Sequence, residues 1–138
     1  MASFRIDGLS DLLDDLEDIA LLSDEVTDKM LNAEADVMVE AEKKTASTML
    51  QGPYYEGGVA ESVGKGKTKK ADYGEYIDVV FKGTQHGERL AAIAYINEYG
   101  KTNQPARPFI MTAIEQDGDR AVDAAAKVYD EYLKSKNL

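Results

Sequence analysis

The sequence predicts an α+β fold, a small antiparallel sheet with a long helix and a C-terminal helix packed on one face. Three observations predict it. Apolar residues recur every three or four positions from Asp24 to Leu50, a two-residue alternation runs from Tyr73 to Lys82, and a second helical stripe follows Pro108. At 138 residues the chain reads as a single domain, 1–138, long enough to bury one core.

In order, Phe4-Arg5-Ile6-Asp7 alternates apolar and polar and runs into Gly8, which reads as a short strand and a turn. Ser10 is placed to cap a helix, with Asp11 at its positive end. Leu9, Leu12, Leu13, Leu16, Ile19 and Ala20 then repeat at helical spacing. Asp14, Asp15, Glu17 and Asp18 take the other side, so this is a short amphipathic helix. Ser23, before Asp24 and Glu25, opens a second helix whose stripe is Val26, Met30, Ala33, Val37, Ala41, Thr45 and Met49. That helix runs to Leu50, about 40 Å at the helical rise, and Gly52-Pro53 ends it.

Val59 to Val63 reads as a strand and Gly64-Lys65-Gly66-Lys67-Thr68-Lys69-Lys70 as part of a flexible basic loop over about 64–73. The alternation from Tyr73 to Lys82 is the clearest strand, paired with 59–66 as a long-looped hairpin. Residues 83–88 form a turn. The stretch 89–99 fits two patterns: Leu90, Ile93, Ala94 and Asn97 lie on a helical face, whereas Ile93, Tyr95 and Tyr99 alternate as a strand would. The alanines favour the helix, and Gly100 stands where a left-handed C-terminal cap belongs. After a loop over 101–107, Pro108 suits a first helical turn. Phe109, Ala113, Ile114, Ala121, Ala125, Val128, Tyr132 and Leu133 supply the stripe of the last helix, which Gly118 is expected to bend or loosen.

The net charge of −10 is concentrated. Residues 1–50 carry 13 acids against 4 bases, while 51–82 and 83–138 are nearly balanced. Such a surface repels nucleic acid and membrane headgroups. It either keeps helical faces solvated or meets a basic protein partner. An acidic inhibitor or nucleic-acid mimic is therefore the alternative reading of function. There is no cysteine, which excludes disulfide scaffolds, thiolate metal sites and cysteine nucleophiles. The longest apolar run, Leu90 to Ile96, falls far short of the roughly 20 residues of a membrane span. Acids interrupt any signal-peptide pattern at the start, so synthesis in the cytoplasm is expected.

Candidate chemistry is sparse. His86, the one histidine, stands in a turn without further zinc ligands. The acid pairs Asp14-Asp15 and Asp24-Glu25 decorate the polar side of helices, where water keeps carboxylates ordinary. Gly66-Lys67-Thr68 ends like a phosphate loop, but Glu61 stands where its first glycine belongs. No enzyme activity and no cofactor are expected.

Two segments call for another explanation: Asn97-Glu98-Tyr99-Gly100 and Ala106-Arg107-Pro108-Phe109. Tyr99 and Phe109 suit a core, Gly100 a cap, and Arg107 a donor to helix or loop carbonyls. Glu98 and Arg107 flank one loop and can clasp it as an ion pair.

The chain resembles the tail-completion, or head–tail joining, proteins of long-tailed bacteriophages and prophages. Four segments carry the resemblance: Phe4-x-Ile6-x-Gly8-Leu9-x-x-Leu12, Gly58-x-x-x-Ser62-Val63, Ala94-Tyr95-Ile96-Asn97-Glu98-Tyr99-Gly100, and Pro105-Ala106-Arg107-Pro108-Phe109-Ile110 with Ala113. The last two are the specific ones. Where the family has Thr-Gly-x-Leu, this chain has Gly57-Gly58-Val59-Ala60. The resemblance implies a structural protein of the virion neck or tail end, assembling as a ring of identical subunits against neck or tail-tube neighbours. It implies no enzyme activity, cofactor, metal, direct nucleic acid contact or membrane. The implied assembly surface combines Asn97, Glu98, Tyr99, Gly100, Arg107, Pro108 and Phe109 with Lys65, Lys67, Lys69 and Lys70 of the basic loop, which would order against an acidic partner.

Overall fold

The computed structural model describes residues 24–51, 57–72 and 74–136. The expected opening strand and amphipathic helix, the Phe4 to Leu12 segment and the Gly52-Pro53 stop lie outside the described residues.

Two long helices form the frame: α1 (Asp24–Met49) and α4 (Phe109–Ser135), the second continuing through Gly118. They run antiparallel. Val26 and Lys29 meet Val128 and Tyr132 at one end, and Thr45 and Met49 meet Thr112 and Gln116 towards the other. Ala41 of α1 lies beside Asp117 and Arg120 of α4 and is buried, as are Ala113 and Ala121 on α4. Helix axes approach according to the size of the residues between them, so alanines allow a close pairing.

Between these helices the chain adds α2 (Gly58–Ser62), β1 (Val63–Lys65), β2 (Lys69–Ala71), β3 (Gly74–Tyr76), β4 (Val79–Phe81), β5 (Thr84–Gln85), β6 (Glu88–Arg89) and α3 (Leu90–Tyr99). β1 pairs antiparallel with β4, Val63 opposite Phe81, and β2 pairs with β3, Lys69 opposite Tyr76. Gly66 N–H donates to Asp78 O between the two ladders, so residues 63–81 make one interrupted ribbon. β5 and β6 form a tight hairpin around His86 and Gly87, whose φ values of 51° and 81° are those of a type I′ turn.

The core gathers where α1 ends and α4 begins. Ala46, Leu50, Val59, Ala60, Leu90, Ala94 and Phe109 are buried together, with Phe81 and Ile93 packed against them. Phe109 is fully buried and meets Phe81 edge-to-face at 5.8 Å, a favoured aromatic geometry.

The α+β class, the long helix and the C-terminal helix are as expected; several local readings are corrected. Val59 to Ser62 is helical, because Gly57 turns the chain in the left-handed region and Val59 and Ala60 then point into the core. The loop expected over 64–73 carries the β2–β3 ladder. The long strand from Tyr73 is broken into β3 and β4 at Ile77-Asp78, opposite a break at 66–68. Residues 90–99 are helix, which buries Leu90 and Ala94 on one face.

Candidate functional site: the α3–α4 corner

α3 stops at Gly100, whose N–H closes the last turn on Ile96 O at 2.7 Å. Gly100 has φ 77° and ψ 179°, a region open essentially to glycine alone, and a Cβ there would lie 2.8 Å from Ala106 N and from Gln104 O. The chain then turns tightly, Lys101 and Gln104 exchanging backbone bonds of 2.9 and 3.0 Å. Asn97 closes the loop from inside. Its carbonyl accepts Arg107 N–H at 2.6 Å, and its side-chain oxygen accepts from Gln104 Nε2 at 3.3 Å.

α4 begins after Pro108, which has no side-chain oxygen to cap it. Glu98 supplies the cap from the preceding helix: its carboxylate accepts the N–H of Ile110 at 2.7 Å and of Met111 at 3.1 Å. A carboxylate at a helix N-terminus satisfies orphan donors and the positive end of the helix dipole together. Two further bonds tie the corner to α1. Arg107 Nη1 donates to Gln51 O at 3.1 Å, and buried Thr45 Oγ1 donates to Phe109 O at 2.8 Å.

Of the two expectations for Arg107, the ion pair with Glu98 is not formed, and the bond to a backbone carbonyl is. Each side chain bonds backbone, Glu98 to α4 and Arg107 to the end of α1, because those groups lack partners of their own. Beneath the corner lies Glu42, 5% exposed, one carboxylate oxygen of which has no partner. Burial first, and the charge of Glu98 second, push its pKa up to about 7.

The structure thus joins Asn97, Glu98, Gly100, Arg107, Pro108 and Phe109 as one interlocked corner, most of it turned inward. Tyr99 differs. Expected in a core, it is 69% exposed, because the buried face of α3 is taken by Leu90, Ala94 and Glu98. Its ring packs on that of Tyr95, 64% exposed, with centroids 4.8 Å apart. The expected assembly surface includes Tyr99 but leaves out Tyr95, which the sequence places only in the strand alternation and the resembling segment; its four-residue spacing from Tyr99 on a helix is the available signal.

Lys65, Lys67, Lys69 and Lys70 do not join this corner. Lys65 pairs with Asp36 at 2.7 Å, Lys70 with Asp24 at 3.1 Å and Lys69 with Asp78 at 3.6 Å, while Thr68 bonds Asp28. The ribbon lies along the first half of α1, whereas the corner sits at its last turn. Lys67 is exposed and takes part in none of these pairs. Three acids of α1, Asp24, Asp28 and Asp36, thus meet the ribbon within the chain. The pairing with Lys70 lowers the pKa of Asp24.

Among the described residues no three His, Cys, Asp or Glu side chains lie close enough to hold a metal ion, and no helix is long and apolar enough to cross a membrane. Set against known protein families, curated proteins and solved structures, the chain gives no significant match.

Proposed function

We propose that this chain is a structural subunit of the neck or tail end of a long-tailed bacteriophage or prophage, joining head to tail as a ring of identical copies. In this reading the protein is made in the host cytoplasm and resides in the virion. It works without catalysis or cofactor, and its partners are further copies of itself and adjoining neck or tail-tube proteins. The observation that carries the reading is the division of labour inside the segment that resembles the family. Glu98, Gly100 and Phe109 hold the corner rigid, while Tyr95 and Tyr99 stand outside it as a paired aromatic surface. Rigid, exposed tyrosines are the residue type that supplies binding energy at protein interfaces at small entropic cost. The acidic-mimic alternative draws less support, since Asp24, Asp28 and Asp36 are engaged by the ribbon rather than arrayed free.

The test is the mass of the purified protein in solution, alone and after mixing with tail tubes of the same genetic element. A ring, or capture of the monomer at tube ends, supports the reading. A strict monomer that ignores tubes overturns it.

A further inference from the structure

The outer half of the ribbon rests on α1 without a buried anchor. Val63 is buried at its inner end, but none of the described residues from 64 to 81 is. The outer half is held down by polar, exposed contacts. Lys70 Nζ lies 3.1 Å from the Asp24 carboxylate, and Thr68 Oγ1 donates to Asp28. The Lys70 and Asp24 side chains are 71% and 76% exposed, and ion pairs so exposed are weak and screened by salt. Glu75 of β3 brings a third carboxylate to the same two acids. Burial first, then Asp24 by hydrogen bond and charge, raise its pKa; Lys70 opposes them and Asp28 adds to them.

The ribbon is also jointed. Its ladders are interrupted at 66–68 on one side and at 77–78 on the other, and the 2.9 Å bond from Gly66 N–H to Asp78 O crosses the gap. The Lys69–Asp78 pair, at 3.6 Å, stays within the ribbon and does not tie it to α1. On the inner side of the joint, β1 is anchored by buried Val63 and by Lys65 on Asp36 at 2.7 Å. Between α1 and the ribbon lies a hollow of about 210 Å³, walled by Leu31, Ala35 and Met38 on one side and Tyr76, Ile77 and Val79 on the other.

We propose that the β2–β3 end of the ribbon is a hinged strap, clasped to the start of α1 by Lys70–Asp24 and Thr68–Asp28, that lifts at the 66–68 and 77–78 joint and uncovers the Leu31–Met38 side of α1. An unbroken ladder would carry any such movement back to Val63 and the core, whereas the joint confines it to β2 and β3, three residues each. Lifting breaks exposed polar contacts and no buried one. Glu75, ionised beside Asp24 and Asp28, opposes the clasp that Lys70 makes. Ionic strength therefore sets how often this side of α1 is open.

Because the chain has no cysteine, Met38→Cys gives one thiol in the hollow, and its labelling by a neutral maleimide reports how often the strap lifts. From about 0.1 M to about 1 M salt, as the screening length falls from about 10 Å to about 3 Å, labelling should quicken about threefold or more. Ala92→Cys, exposed on α3, supplies the reference rate for the reagent. At the lower salt, Lys70→Ala added to Met38→Cys should quicken labelling as much as salt does. Glu75→Gln should slow it, and Lys70→Asp with Asp24→Lys should restore the parent rate. A rate at Met38→Cys that ignores salt, once divided by the reference, overturns the proposal. So does a Lys70→Ala rate no faster than its parent. Ile77→Cys, on the opposite wall, gives the same readout if Met38→Cys does not fold.

Discussion

Glu98, in the last turn of α3, caps the helix that begins eleven residues later, its carboxylate 2.7 Å from the N–H of Ile110. With Pro108 at the cap position of α4 and no side-chain cap bond from it, this carboxylate replaces what Ser or Asp does at other helix starts. Glu98→Ala leaves two part-buried donors without this partner and removes a carboxylate from the positive end of a 27-residue helix. The expected loss is about 2–3 kcal/mol in denaturant unfolding, with Glu98→Gln losing about half as much since one acceptor remains. Equal stability of wild type and Glu98→Ala would show that the cap is dispensable.

Glu42 makes stability depend on pH. Its folded pKa is raised from 4.5 to about 7, by burial and then by Glu98. A raised folded pKa means that the native state holds the proton more tightly than the unfolded chain. Its contribution is therefore complete below pH 4.5 and disappears as pH rises through 7. Between pH 5 and pH 8 this one group should weaken the fold by about 2–3 kcal/mol. Glu42→Gln, neutral at every pH, should flatten that slope and leave the protein more stable than wild type at pH 8. Parallel stability profiles for the two proteins would place the titration elsewhere.

Gly100 meets two constraints at once, a backbone region closed to side chains and backbone atoms 2.8 Å from where a Cβ would stand. Gly100→Ala should cost about 2–4 kcal/mol, the strain and the forced shift of the 104–106 backbone adding together. Gly87 is the control. It also has positive φ, 81°, but a Cβ there meets nothing within 4 Å. Gly87→Ala should therefore cost only about 1 kcal/mol. Thermal unfolding of the two variants separates strain with crowding from strain alone.

What could be read in advance follows from the range of the interactions. The α1 span from Asp24 to Met49 and the stripe after Pro108 come from periodicity sustained over many residues, as does the strand character of Val79 to Phe81. Gly100 is legible as the stop of the helix, but not in the expected left-handed cap conformation: its ψ of 179° is an extended form reserved for glycine. Val59 to Ser62 misled because four residues, two of them apolar, satisfy a strand and one helical turn alike. The role of Glu98 was hidden for a different reason. Its partners are backbone groups twelve and thirteen residues on, and their proximity depends on the path of the 101–107 turn. The ribbon's lysines looked free because the acids they meet are far earlier in sequence, Asp24 46 residues before Lys70 and Asp36 29 before Lys65. The exposure of Tyr99 turned on which α3 residues the core took: Glu98, next to it, is buried and Tyr99 is left outside.

The corner offers a clean separation of folding from assembly. Phe109 is fully buried between Phe81 and the end of α1, so Phe109→Ala should destabilise by about 3–5 kcal/mol and lose assembly only because the fold fails. Tyr95→Ala with Tyr99→Ala removes two exposed rings that bury little, and its unfolding midpoint should stay within about 1 kcal/mol of wild type. In the proposed neck role the same double variant should lose capture at tail-tube ends by about tenfold or more, as loss of interface tyrosines does. Arg107→Glu keeps the Asn97 backbone bond but loses the bond to Gln51 O, at a cost of about 1 kcal/mol; it should still fold and, in the proposed role, fail to join heads to tails. Measured by sedimentation with tubes and by counting joined particles, normal assembly in both variants would remove this face from the joining surface, whatever their stability.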